Sequence, residues 1–324
     1  MRREQRILTA TLIGLTAGAL ALWLRLSGRS DFSDFNPIWL AARAVLLHRD
    51  PYVAVARDFV APFYYPLPAA IVGLPFALLP SSVTGPAFVA LGFGLLAYGL
   101  TARAWWPLIA LASYPSLDAI RLCQWTPIFA AAALLPWLGW LAAAKPTTGL
   151  VTVGSFLSRR WLTFNAAIGI ALVAISFACW PPWVGEWLGA VRGAHHFVPM
   201  AARPVGALLL LALIRWRRPE ARMLALMAVV PQTVAYDALL LALIPCNRRE
   251  ALAFGLLSFA AVPFIVPATA PRDAFVGALT HNQSVFLTAL YLPALVAVLA
   301  RPNARKARSQ AAENGVETPR FGRS

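Results

Sequence analysis

Apolar runs recur along almost the whole chain and limit what it can fold into more than any other feature. They cover residues 7–27, 66–80, 85–102, 107–120, 126–144, 146–157, 161–180, 204–216, 221–246, 251–270 and 284–300. Several approach the about 20 residues that cross a bilayer as an α-helix, and others have the length of half-helices or tilted pairs. Composition agrees: 60% of residues are hydrophobic and 13% charged, with a mean hydropathy of +0.67, where soluble domains hold about a quarter of charged residues. The pattern predicts an all-α, polytopic membrane protein with about 10–12 transmembrane or membrane-embedded helices.

A net charge of +15 would suggest nucleic acid in a soluble protein. Here the basic residues sit in short loops instead: Arg159 and Arg160; Arg215, Arg217, Arg218 and Arg222; Arg248 and Arg249; Arg301, Arg305, Lys306 and Arg308. By the positive-inside rule these mark cytoplasmic turns, so the basicity reports topology and no nucleic-acid partner is expected. The N-terminus then lies inside, and segments 28–65, 181–203 and 271–283 lie outside. The opening "MRREQR" and its apolar run read as an uncleaved signal anchor, because the run exceeds the about 7–15 residues of a secretory h-region. Residues 1–300 form one membrane domain without a fixed-period repeat, and 301–324 read as a disordered basic tail.

The first outside segment is unusual for its acids. Asp31, Asp34, Asp50 and Asp58 lie in residues 28–65, out of only 13 acids in the chain. A solvated polar loop is the plain alternative. Against it, Asn36 as N-cap and Pro37 at the first helical position predict a helix along "PIWLAARAVLLH", with Ile38, Ala41, Ala42, Val45 and Leu46 on one side. Trp39 suits the headgroup level, so this helix is expected on the outer interface, ending before Asp50-Pro51. "FYYPLP" then brings Tyr64 and Tyr65 to the interface, and 181–200 reads as a second interfacial segment with Trp183, Trp187 and Val191 on one face.

Cys123, Cys179 and Cys246 lie far apart without zinc-ligand spacing and read as packing thiols. No Walker A, GxGxxG, GxSxG, HExxH or EF-hand pattern occurs, which leaves a nucleotide-driven pump or a soluble-type hydrolase without support.

The pattern Asp34, Phe35, Trp39, Ala41, Ala42, Arg43, Ala44, Leu46, Leu47, Asp50, Pro51, Tyr52 resembles the first outside loop of the polyprenol-phosphate-dependent GT-C glycosyltransferases of family 87. "FYYPLPAAIVGLPFALLP" is similar to the tyrosine-proline segment that follows in that family, and "SYPSLDAIRLCQWTPIFAAAALL" resembles its glycine-glutamine-asparagine segment. Gln124 is kept there, while Cys123 and Thr126 stand in place of the usual Gly and Asn. "AAAKPTTGL" resembles the lysine-proline segment and puts Lys145 in the matching position; "VVPQTVAYDALLLALIP" resembles a late segment where many members have a histidine pair and this chain has Tyr236 and Asp237. A single apolar run separates Gln124 from Lys145 where the family is expected to have a helical hairpin, so Lys145 is expected to fall short of the outside face.

The resemblance implies a mannosyltransferase-like enzyme of a bacterial inner membrane, with its active site facing the periplasm or cell exterior. A hexose carried on polyprenyl phosphate would pass, with inversion, to a lipid, glycan or protein acceptor, and membrane lipids would surround the protein. The catalytic aspartate maps onto Asp34 as general base, with Asp31 the other choice. Arg43 and Lys145 are candidates for the donor phosphate. Tyr52, Tyr65, Gln124, Tyr236, Asp237, His195 and His196 are candidates for substrate contacts, with solvated histidines the plain alternative for the last two. Asp237, in an apolar run interrupted near Pro231, needs a cavity or a partner. No cofactor is implied with certainty, no metal ligands are assigned, and a divalent cation held through Asp34 stays open. Two rivals stand beside the enzyme: a transporter or lipid-flipping protein, which should show paired repeats, and a catalytically degenerate member of the same fold.

Overall fold

The computed structural model describes residues 1–28, 33–102, 104–194, 198–231, 235–260 and 283–301. Asp31, His195, His196 and the tail from 302 onward lie outside the described residues. The described chain is helical throughout. Three helices are long and apolar enough to cross a membrane: α1 (Arg3–Leu26), α5 (Ser81–Leu100) and α9 (Arg159–Cys179).

The other apolar runs form shorter helical pieces. The loop after α1 holds α2 (Asn36–Leu46) and α3 (Pro51–Asp58), followed by α4 (Pro68–Ala77). After α5 come a 3₁₀ segment Trp106–Leu111, α6 (Tyr114–Arg121), α7 (Thr126–Leu134), a 3₁₀ segment Pro136–Ala143 and α8 (Pro146–Phe156). After α9 follow α10 (Trp183–Arg192), a 3₁₀ segment Gly206–Arg215, α11 (Pro219–Val229), a 3₁₀ segment Ala235–Leu243, α12 (Arg248–Ser258) and α13 (Leu292–Leu299). Proline opens many of them: Pro37, Pro51, Pro115, Pro127, Pro146 and Pro219 each sit in a first turn, where their missing N–H costs nothing.

The α1–α5 pair is the spine of the fold. Gly14 and Gly18 let the two backbones touch: a Cβ on Gly14 would meet the Ala90 carbonyl at 2.5 Å, and one on Gly18 would meet Ala90 Cβ at 2.8 Å. The contact order, Arg6 on Tyr98, Gly14 on Ala90 and Gly94, Gly18 on Pro86, runs in opposite senses along the helices, so they are antiparallel. Small residues serve this purpose in apolar surroundings, where close van der Waals packing holds helices together.

The two ends of the spine differ chemically. At the end holding Tyr98, arginines cap helix C-termini, whose last carbonyls lack intrahelical partners. Arg6 donates to Tyr98 O at 2.8 Å, Arg215 to Leu299 O at 3.0 and 3.2 Å, and Arg301 to Ile244 O at 2.7 Å. Arg222 donates to Ser155 O, and Arg248 stacks on Trp105 at 4.8 Å. Residues read as topology markers therefore also close α8, α13 and the 235–243 segment, and Arg6 closes α5. At the opposite end lie the C-terminus of α1, the N-terminus of α5 and the first loop.

That loop is packed, not draped. Ile38, Ala41 and Ala42 of α2 are fully buried, and the Ile38 side chain lies where a Cβ on Gly73 of α4 would go. Leu46, expected on the same face, is exposed at 47%. Asn36 is the first helical residue and not the N-cap; its Oδ1 accepts from Arg25 Nη1 at 3.2 Å, tying α2 to the end of α1. Asp50 is the capping acid instead, accepting from the Tyr52 and Val53 amides at 2.8 and 3.0 Å.

Candidate functional site

Asp34 projects from a turn that its neighbours hold rigid. Phe35 is buried, stacked on Phe88 at 4.3 Å and edge-on to Phe76 at 5.3 Å, and its amide donates to Ser33 Oγ at 3.2 Å. The Asp34 amide donates to Leu122 O at 2.9 Å, joining the first loop to the end of α6. The aromatic residue anchors the turn so that the acid beside it can point elsewhere.

What it meets is Gln124, whose Nε2 donates to Asp34 Oδ2. Gln124 is placed by a reversal between α6 and α7, where Cys123 takes a left-handed φ of 52°. Glycine adopts that conformation without strain and an L side chain does not, which gives the glycine of the resembled segment a physical reason. Trp125, next in the chain, is fully buried against Phe88 at 4.9 Å and lies 6.5 Å from the Tyr65 ring. It locks the reversal from behind.

Lys145 completes the group. Its Nζ donates to Gln124 Oε1 at 3.5 Å and lies 5.3 Å from the centre of the Tyr236 ring. Gln124 and Lys145 meet although 20 residues separate them, because α7 leaves the site and the 136–143 segment returns beside it. The half-length pieces thus make the hairpin that a single apolar run does not suggest, and Lys145 reaches the same side as Asp34, contrary to the expectation from the sequence. Among the described residues the ion pairs join Arg57–Asp58, Arg121–Asp118, Arg218–Glu220 and Arg301–Glu250, and none includes Lys145.

The electrostatics follow from burial. Asp34 keeps partial access to the surface, but the protein around it pushes its carboxyl from the ordinary 3.8 up to about 7. Desolvation is the largest cause; Lys145 pulls the value back down, Asp118 and Asp237 raise it, and Arg121 lowers it. Burial, with Asp34 and Asp237 nearby, holds the Tyr65 hydroxyl well above its ordinary range, so it remains a proton donor. The arrangement can exchange a proton near neutral pH beside an ammonium that forms no ion pair among the described residues.

Asp237 is 5% exposed and accepts from Thr126 Oγ1 at 3.1 Å and Thr148 Oγ1 at 3.4 Å. Thr126 and Asp237 are two of the positions where the sequence departs from the resembled pattern, and they meet each other. Thr148 does not stand out in the sequence; only its contact with Asp237 shows it. The Asp118–Arg121 ion pair, at 2.9 Å on α6, is another feature that local patterning does not reveal.

Other predicted residues lie elsewhere. Arg43 is exposed and stacks on Trp39 at 4.8 Å, so it is not brought to Asp34. Tyr52 acts from behind: its hydroxyl donates to Tyr65 O at 3.2 Å, while Trp187 of α10 donates to Tyr64 O at 3.1 Å. These two bonds hold the segment that presents Tyr65, so the second interfacial segment buttresses the first loop. Asp58 pairs with Arg57 at the surface. Of the thiols only Cys123 is buried, Cys179 and Cys246 being exposed.

No protein-family model, curated protein or solved structure matches the chain. Among the described residues no three His, Cys, Asp or Glu side chains gather as metal ligands. Asp34 accepts from Gln124, and Asp237 from two hydroxyls.

Proposed function

We propose that the protein is a polytopic membrane glycosyltransferase of the GT-C type, transferring a mannose-like hexose from a polyprenyl phosphate to a hydroxyl acceptor on the outer side of a bacterial inner membrane. One observation carries the reading. Gln124, Lys145 and Tyr236 gather beside Asp34, the four coming from four separate segments of the resembled pattern, and Lys145 forms no ion pair among the described residues.

In this reaction Asp34 accepts the proton of the acceptor hydroxyl as that oxygen bonds to the anomeric carbon. The bond from that carbon to the phosphate oxygen breaks on the opposite face, and its electron pair leaves with the polyprenyl phosphate, giving inversion. Lys145 faces the charge that grows on the leaving phosphate, where a fixed cation in a poorly hydrated site is most effective. Gln124 holds the two in register through both ends of its amide. A carboxyl with its midpoint near 7 suits a base that must take a proton and release it at neutral pH.

Transfer of labelled sugar from a polyprenyl-phosphate donor into extractable product, by purified wild type and by a folded Asp34→Asn variant in one detergent, tests the reading. Activity in the wild type and a loss of about 100-fold or more in the variant supports it. Equal transfer by both removes Asp34 from the role. No transfer with any donor favours the transporter reading, for which helix starts that converge on ionisable side chains are also a known arrangement.

A further inference from the structure

We infer that Asp237 is a positioning residue whose buried carboxylate ties three helix starts together and so sets the register of Gln124, Lys145 and Tyr236 around Asp34. The inference rests on the transferase reading only for its activity readout.

The geometry is specific. Thr126 is the first residue of α7, Thr148 lies in the first turn of α8, and Asp237 lies in the first turn of the 235–243 segment. Its partners include the hydroxyls of both threonines. Each element of this knot carries one neighbour of Asp34: Gln124 two residues before Thr126, Lys145 three before Thr148, and Tyr236 one before Asp237. A buried acid is normally costly, and here hydroxyls carried by the first turns of α7 and α8 offset part of that cost. The opposite ends of α8 and of the 235–243 segment are those capped by Arg222 and Arg301. Aligned helices thus place their positive ends at the acids and their negative ends at the arginines.

At 5% exposure Asp237 is poorly placed to touch substrate, so its effects must pass through its neighbours. Two effects separate. Its hydrogen bonds fix geometry, and its charge acts on Asp34 together with Lys145, Asp118 and Arg121, with the Tyr65 and Tyr236 hydroxyls also facing the group. Asp237→Asn keeps an oxygen for both threonines and removes the charge; Asp237→Leu removes both.

The test is an infrared titration of the Asp34 carboxyl, identified as the band missing in Asp34→Asn, in wild type, Asp237→Asn, Asp237→Leu and the Thr126→Val/Thr148→Val double variant, with transfer rates measured in parallel. Asp237→Asn is expected to move the Asp34 midpoint below that of wild type and to move the acid limb of the transfer profile with it. Asp237→Leu and the double threonine variant are expected to lose about 100-fold in transfer, the cost of a misplacement near 1 Å. An unmoved Asp34 midpoint in Asp237→Asn, or a double threonine variant as active as wild type, overturns the inference. An Asp34 midpoint in Asp237→Leu that differs from that in Asp237→Asn, with no transfer even by wild type, keeps the positioning role and rejects the transferase reading.

Discussion

Replacing Lys145 by glutamine should move the pH at which the protein becomes active, and the direction and size can be worked from the site. The wild-type Asp34 carboxyl titrates at about 7. If its ionised form is the base, kcat/KM should fall about tenfold for each pH unit below that midpoint and level off above it. Lys145 is the strongest influence holding the value down. Bridged by the Gln124 amide, its ammonium lies roughly 6 Å from the carboxylate, where an effective dielectric of about 20–40 gives an attraction of about 1.5–3 kcal/mol, or about one to two pH units. Lys145→Gln should therefore shift the acid limb upward by about one unit or more. It should also lower the plateau by about 100-fold or more, since the leaving phosphate loses its cation. The assay is kcat/KM for labelled-sugar transfer across about pH 5 to pH 9, which reports the free enzyme's ionisations. A wild-type acid limb near the ordinary 3.8, or a limb that moves down or stays in place in Lys145→Gln, refutes the assignment of Asp34 and Lys145 to these roles.

Two further outcomes concern the scaffold. Gly14→Val should weaken the α1–α5 contact by about 1–3 kcal/mol, because its Cβ meets backbone at 2.5 Å. Gly169→Ala in α9, where nothing lies within 4 Å, should be neutral or slightly stabilising; thermal denaturation in detergent compares the two. At Cys123, glycine should be tolerated to within about 1 kcal/mol, relief of the left-handed strain offsetting the lost packing. Valine there should cost about 2 kcal/mol or more, since a β-branched side chain fits that backbone worst. The same denaturation measurement checks both, and equal stabilities would remove the conformational argument at the reversal.

The acids of the first loop show how much of the site was legible. Their clustering drew attention to residues 28–65, yet the three that the structure describes do different work: Asp34 enters the site, Asp50 caps α3 and Asp58 pairs at the surface. No local pattern separates them, because each lies beside turn residues and proline. Asp34 is distinguished by what packs around it from residues 122–145 and 236–237. The resemblance named Gln124, Lys145, Tyr236 and Asp237 without their geometry, and the single apolar run before Lys145 suggested that it falls short, which its contact with Gln124 corrects. It also offered Arg43, which belongs to the surface beside Trp39.

The sequence by itself determined that the chain is helical and apolar, that runs such as 7–27, 85–102 and 161–180 approach the length that crosses a membrane, and that Pro37 and Asp50-Pro51 bound the first helix of the first loop. These are properties of a residue and its near neighbours: hydropathy over a span, a proline's missing N–H, and the restriction proline puts on the residue before it. The tertiary structure alone decided that short helical pieces fold back as hairpins, that arginines close one end of the aligned helices, and that Asp34, Gln124, Lys145 and Asp237 gather at the other. Each of those outcomes depends on contacts between residues tens of positions apart, whose energy is gained only once the intervening chain has packed.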